Sequence, residues 1–154
     1  MVHSQIVEGF FRRDAITIDV NATVKEALLI MDQKKTNGLL VVDGMRVAGV
    51  LALQDIAAAV IPDEMKHDAS LAGAMFKEGY FEEGTKNVLK QKVTDVMRTD
   101  FLTVKPGASI LEIAADFLQN DLYIVPVVEN GELVGVVTRT EIRRALTKSL
   151  SDTN

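Results

Sequence analysis

Cysteine and tryptophan are absent from the 154 residues. Without cysteine the chain has no disulfide, no thiolate nucleophile and no cysteine-based metal site. With no tryptophan and only 5% aromatic residues, the core must be built from aliphatic side chains. Positive charge is the minority: 17 Lys and Arg face 22 Asp and Glu, a net charge of −5. An acidic chain has no general attraction for nucleic acid or anionic membranes, so neither is expected as a partner. Histidine is scarce. His3 stands near the N-terminus and His67 among charges, neither with a second ligand at metal spacing, so no metal is expected. No apolar run nears the roughly 18–20 residues of a membrane span, and no charged-then-apolar leader pattern opens the chain. A cytoplasmic globular protein is the expectation, in keeping with 47% apolar and 25% charged residues.

What the chain does have is a repeat. An offset of 86 residues carries Val7 onto Val93, Asp14 onto Asp100, Thr17 onto Thr103, Glu26 onto Glu112 and Gly49-Val50 onto Gly135-Val136, without a gap. Each copy opens with a short extended stretch, Thr17–Val20 and Thr103–Pro106. Capping boxes follow at Thr23-Val24-Lys25-Glu26 and Ser109-Ile110-Leu111-Glu112. Val24, Ala27, Leu28 and Met31 then match Ile110, Ile113, Ala114 and Phe117, the i, i+3, i+4, i+7 face of a helix. Two apolar runs around Asp43-Gly44, and two around Asn130-Gly131, predict hairpins. Closing helices start near Gln54 and Thr140. The order is β-α-β-β-α, twice, an α/β (α+β) fold. A unit this small buries too little apolar surface alone, so two copies pack about a pseudo-two-fold axis, sheets inside and helices outside. The predicted organisation is repeat 1 at 7–60, a partly helical linker at 61–92 and repeat 2 at 93–148.

These landmarks resemble a tandem pair of CBS domains, a Bateman module. Val93–Val104 resembles the family's lead-in helix and first strand, Tyr123-Ile124-Val125-Pro126-Val127-Val128 its strand with a proline, and Gly135-Val136-Val137-Thr138-Arg139-Thr140-Glu141 its Gly-x-x-Ser/Thr-x-x-Asp signature. The resemblance covers the chain outside the linker. It implies a regulatory module, not an enzyme. The implied regulatory ligand is an adenine nucleotide (AMP, ADP or ATP) or another adenosyl compound such as S-adenosylmethionine, held in clefts between the repeats; no further cofactor is required. It also implies a homodimer of modules and a regulated protein partner. The alternative is a degenerate pair serving as a ligand-free dimerisation or interaction module. No nucleophile–base pair, metal cluster or glycine-rich phosphate loop supports an enzyme.

In the family the signature acid holds the ribose diol, the hydroxyl residue lies near the phosphates, and the segment before the proline lines the adenine pocket. A carboxylate suits a diol because it accepts two hydrogen bonds side by side. Carried over, the candidates in copy one are Thr17, Asn37, Gly38, Leu39 and Asp55. Those in copy two are Thr103, Tyr123, Ile124, Val125, Pro126, Thr138, Arg139 and Glu141. Neither copy keeps the whole signature: Ala52 takes the hydroxyl position and Leu40 the proline position in copy one, and Glu141 replaces the acid in copy two. Asp55 is favoured for the ribose, since Ala52 offers no cap that would explain an acid there; its other reading is a helix-dipole partner. Thr138-x-x-Glu141 also reads as a capping box, and Tyr123 as packing. Arg12, Arg13, Arg98, Arg139 and Arg143 are candidate phosphate cations, each with a solvated surface role as the alternative. In the linker, Asp68-Ala69-Ser70 predicts a helix through Leu71, Met75 and Phe76, and Gly79 and Gly84 bracket Tyr80–Glu83. The cluster of Met75, Phe76, Tyr80 and Phe81 is expected to pack against the module.

Overall fold

The computed structural model describes residues 6–61, 66–74, 79–119 and 124–152. Repeat 1 runs β1 (Thr17–Asp19), α1 (Val24–Lys34), β2 (Gly38–Asp43), β3 (Arg46–Ala52) and α2 (Leu53–Val60). The linker carries α3 (Ala69–Ala74) and α4 (Tyr80–Leu89). Repeat 2 runs α5 (Val93–Val96), α6 (Ile110–Gln119), β4 (Ile124–Glu129), β5 (Glu132–Thr138) and α7 (Arg139–Asp152).

The caps start the helices where the sequence predicts. The Thr23 hydroxyl accepts from the Glu26 N–H at 3.2 Å, and Glu26 accepts from the Thr23 N–H at 3.1 Å. At Ser109 a single cap replaces the predicted box: Oγ accepts from the Leu111 N–H at 3.1 Å, while the Glu112 N–H bonds the Ser109 carbonyl. Strand alternation then sorts the side chains. Ile18, Leu39, Val41 and Leu51 face α1 and α2, where Val24, Ala27, Met31 and Ile56 complete a core. Leu40, Val50 and Ala52 face the other way and meet Val136 at the seam between repeats. Repeat 2 builds its own core from Val104, Val125, Val127, Val137, Ile110 and Ile113. Each fully buried Ile or Leu contributes about 1.5–3 kcal/mol.

One expected strand is missing. In repeat 1, β1 pairs in parallel with β2, which pairs antiparallel with β3. Among the described residues of repeat 2, only Val104 bridges Val127, and the sheet is β4–β5. Two prolines explain the correction. Val20 and Leu40 donate to Val42 and Ile16 in repeat 1. Their counterparts are Pro106 and Pro126, which have no N–H to donate. The hairpins otherwise agree, down to a shared irregularity after Val41 and after Val127. Their two-residue loops are Gly44-Met45 and Asn130-Gly131, so Asp43 ends β2 instead of entering the turn. Positive φ at Gly44 (63°), Asn130 (54°) and Gly131 (80°) supplies the left-handed backbone such tight loops need.

The segments that lead into the two repeats are exchanged. A 3-10 turn at Val7–Gly9 precedes repeat 1 but packs on repeat 2: Val7 N–H donates to Ala108 at 2.8 Å, and Val7 and Phe10 enter the repeat 2 core. Reciprocally, α5 packs on repeat 1, with Val93 N–H donating to Ala22 at 2.9 Å and Val93 in that core. Arg12 and Val136 exchange both backbone hydrogen bonds, as do Arg98 and Val50. Gly135 and Gly49 permit this approach. A Cβ on Gly135 would collide with the Arg12 carbonyl and the Phe11 ring, and one on Gly49 with Met97 and the Arg98 carbonyl.

In the linker, Asp68 caps α3 by accepting from the Leu71 N–H at 2.9 Å. Met75 and Phe76 lie outside the described residues. Gly84 does not end a turn; α4 runs through it, and its bare Cα lets α4 approach the Val60 carbonyl at the end of α2. Val88 of α4 is buried in the repeat 1 core, while Phe81 is 61% exposed, contrary to the packing expected of it.

Candidate functional site

A cleft of about 470 Å³ opens at the seam. Repeat 1 contributes Ile16 before β1, the α1 terminus and following turn at Lys34, Lys35, Thr36 and Asn37, and Gly38 and Leu40 of β2. Ala52 and Gln54 flank the start of α2. Repeat 2 contributes Ile124, Val136, and Thr138, Arg139 and Thr140 where β5 turns into α7. Arg12 enters from the exchanged segment. Its backbone pairing with Val136 fixes where its side chain departs. Gly38 is needed here, because a Cβ would overlap Ile124, its counterpart across the pseudo-two-fold axis.

The cleft thus brings together Asn37, Gly38, Ile124, Thr138 and Arg139 of the sequence candidates. Leu39 and Val125 alternate to the helix side and are each 1% exposed, within the two repeat cores. Pro126 is buried, and Thr17 and Thr103 are exposed on the first-strand segments. Tyr123 lies outside the described residues. Arg13 stacks on the Phe11 ring at 4.9 Å. Arg143 lines a separate surface groove with Gly9, Phe10, Arg144, Thr147 and Lys148.

Both signature acids are engaged within the fold. Asp55 Oδ2 accepts from the Ala52 N–H at 3.0 Å, so the acid itself caps α2 from within its first turn. The absence of a cap at Ala52 is therefore no argument against a structural role for Asp55. Its other oxygen accepts from Arg98 Nε at 2.8 Å. In repeat 2, Glu141 has no exposed surface. Its Oε1 accepts from the Thr138 N–H at 2.7 Å and hydroxyl at 2.8 Å. Its Oε2 lies 3.6 Å from Arg12 Nε, and neither atom has a hydrogen-bond partner. Asp55 and Glu141 are counterparts, as are Arg98 and Arg12. Each acid meets the arginine of the segment that leads into the other repeat.

Sequence reasoning missed Lys34, Lys35 and Thr36, which sit past the periodic face of α1 and carry no motif. It named Arg12, Arg98, Asp55 and Glu141 but did not pair them. The shared 86-residue spacing of the two pairs was the available signal; that the segments exchange is not encoded in any spacing.

Among the described residues, no group of three His, Asp or Glu could hold a metal ion, and no helix is long and apolar enough to cross a membrane.

A duplicated βαββα unit with a cleft at the seam defines a class of paired-repeat modules. The family model for the CBS domain matches residues 7–62 and 93–148, and the chain belongs to that family. It is similar to the Bacillus subtilis glycine betaine/carnitine/choline transport ATP-binding protein OpuCA, 28% identical over 137 residues, covering 88% of this chain and 29% of that protein. It is also similar to inosine-5'-monophosphate dehydrogenase of Korarchaeum cryptofilum, 27% identical over 136 residues, covering 88% and 23%. The chain spans well under half the length of the curated relatives it matches. Among solved structures, the CBS-pair protein CBSX2 of Arabidopsis thaliana superposes with a TM-score of 0.76 at 22% identity, over 96% of this chain and 97% of that one. CBSX2 in complex with AMP gives 0.70 at 24% identity, over 94% and 97%. These likenesses show the fold.

Proposed function

We propose that the module binds an adenine nucleotide or related adenosyl ligand in the seam cleft and relays its occupancy to a partner protein. The observation that carries this reading is the cleft itself. It joins an apolar wall of Ile16, Leu40, Ile124 and Val136 to hydroxyls and cations at the start of α7. An apolar slot suits a purine, and a cationic end with a helix N-terminus suits a phosphate. The solved complex of CBSX2 with AMP supports the choice of ligand class. In this reading Thr138, Arg139 and Arg12 lie at the phosphate end, and Asn37 and Gly38 at the base. Asp55 and Glu141 position the exchanged segments and are not the main ribose contacts. A second copy is the expected dimer partner. Leu111, Leu118 and Leu146 are 65–90% exposed on α6 and α7. Leu146 is the counterpart of Val60, which α4 packs against.

Calorimetric titration with AMP, ADP, ATP and S-adenosylmethionine tests the reading. Saturable binding, weakened by Gly38→Val, is expected. The engagement of both signature acids favours one second reading, a ligand-free interaction module. No heat with any of the four, up to about millimolar concentrations, would establish that reading in place of the first.

A further inference from the structure

We infer that the seam cleft selects a polyphosphate, taking a nucleoside triphosphate in preference to the monophosphate or to a sulfonium-bearing adenosyl compound. This rests on the proposed function and names the ligand within it. The observation is a local reversal of charge. The chain carries a net charge of −5, yet four cations, Arg12, Lys34, Lys35 and Arg139, share the wall of this one cleft, and among the described residues no Asp or Glu lines it with them. Of the acids beside these cations, Glu141 is fully buried, with one oxygen held by Thr138, while Asp14 and Asp32 are exposed to solvent and pair only at 3.9 and 3.8 Å.

The arginine is held differently from its counterpart. Arg98 is bound by Asp55 at 2.8 Å. Arg12 is pinned by its backbone to Val136 but stands 3.6 Å from Glu141 and 3.9 Å from the exposed Asp14, with no hydrogen bond from its Nε. Lys35 has an ion pair with Asp32 at 3.8 Å, but both side chains are more than 80% exposed, so that pair competes weakly with a phosphate. Lys34 is exposed beside it. Each phosphoryl group added beyond the first brings more negative charge into a cleft whose cations can answer it. A sulfonium meets only like charge there. A volume of about 470 Å³ is in the range of pockets for small ligands.

The test is calorimetry on the full chain with ATP, ADP, AMP, S-adenosylmethionine and inorganic tripolyphosphate, at low and raised ionic strength. ATP is expected to bind roughly tenfold or more tighter than AMP, about 1.4 kcal/mol, with ADP between them and S-adenosylmethionine weakest. Added salt should erode ATP affinity more than AMP affinity. The double variant Lys34→Gln/Lys35→Gln, on exposed positions remote from the cores, should lose roughly tenfold in ATP affinity and distinctly less in AMP affinity. Equal affinity for ATP and AMP, tighter binding of S-adenosylmethionine, or equal losses for ATP and AMP in the double variant would each overturn the selectivity and leave the proposed function standing. Tripolyphosphate binding as tightly as ATP would overturn the nucleotide assignment. Failure of all five to bind would overturn the proposed function and this inference together.

Discussion

The two repeats solve one problem with different precision. In repeat 1 the signature acid is short, reaches Arg98 at 2.8 Å and caps its own helix. In repeat 2 it is one methylene longer, folds back onto Thr138 and stops 3.6 Å from Arg12. Repeat 1 completes a three-stranded sheet, whereas repeat 2 keeps two strands and a single bridge. The difference teaches that the duplication conserves the frame, while side-chain length and two prolines decide which polar contacts close. The closed side is a fastening. The open side leaves an arginine at the wall of a cleft.

The largest expected effect comes from the approach of the exchanged segments. Gly135→Ala should cost about 3 kcal/mol, because the new Cβ meets the Arg12 backbone, which cannot swing aside. Gly49→Ala should cost less, since its nearest neighbour is the flexible Met97 side chain and its overlap with the Arg98 carbonyl is much smaller than that of Gly135 with the Arg12 carbonyl. Urea unfolding of both variants checks the ranking, and equal losses would break the comparison.

Removing charge from the two acids comes next. Asp55→Asn should destabilise by about 2 kcal/mol, losing a short charge-assisted bond. Glu141→Gln should cost less, about 1 kcal/mol, since its carboxamide oxygen still accepts from Thr138 and the ion pair it loses with Arg12 is the longer of the two, at 3.6 Å. The same unfolding midpoints decide it; a larger loss at Glu141 would reverse the reading of which side is fastened.

The caps give a smaller contrast. Thr23→Ala should cost about 1 kcal/mol through loss of a reciprocal box, and Ser109→Ala about half that. Thermal unfolding of the two single variants would show it.

The smallest effect is a restoration. Pro106→Val supplies the N–H that Val20 supplies in repeat 1. The added bond, about 1 kcal/mol, is offset by the greater freedom of the unfolded chain, so the net change should lie within about 0.5 kcal/mol. Amide exchange reads the change directly: the new N–H of residue 106 should be protected. An unprotected amide would mean that the strand is absent for another reason.

Most of the frame was legible in the sequence. Thr23-x-x-Glu26, the helical spacing of Val24, Ala27 and Met31, and the alternation through Leu39–Val42 are local signals, and local physics realises them. Pro106 and Pro126 were also legible in principle, since a missing donor is a property of the residue. The site was less so. Asn37, Gly38, Ile124, Thr138 and Arg139 came from the family pattern, and the structure gathers them at one cleft. That Asp55 would serve as the cap Ala52 cannot provide was misjudged, because an acid can reach back from the third position of a helix. Lys34 and Lys35 matter only through where α1 ends relative to β5, a fact of packing that neighbouring residues do not carry.

The exchanged segments have a consequence for how the chain comes together. The bridge from Ile6 to Ser109 and the one from Thr23 to Lys92 tie residues far apart along the chain. Neither repeat holds its complete set of contacts until the other is present. Such long-range closure slows folding and makes each repeat depend on the other. A chain cut between α3 and α4 would yield two halves, each carrying the strap that belongs on the other. Mixed together, the halves should rebuild one module; kept apart, each should be left with an open seam.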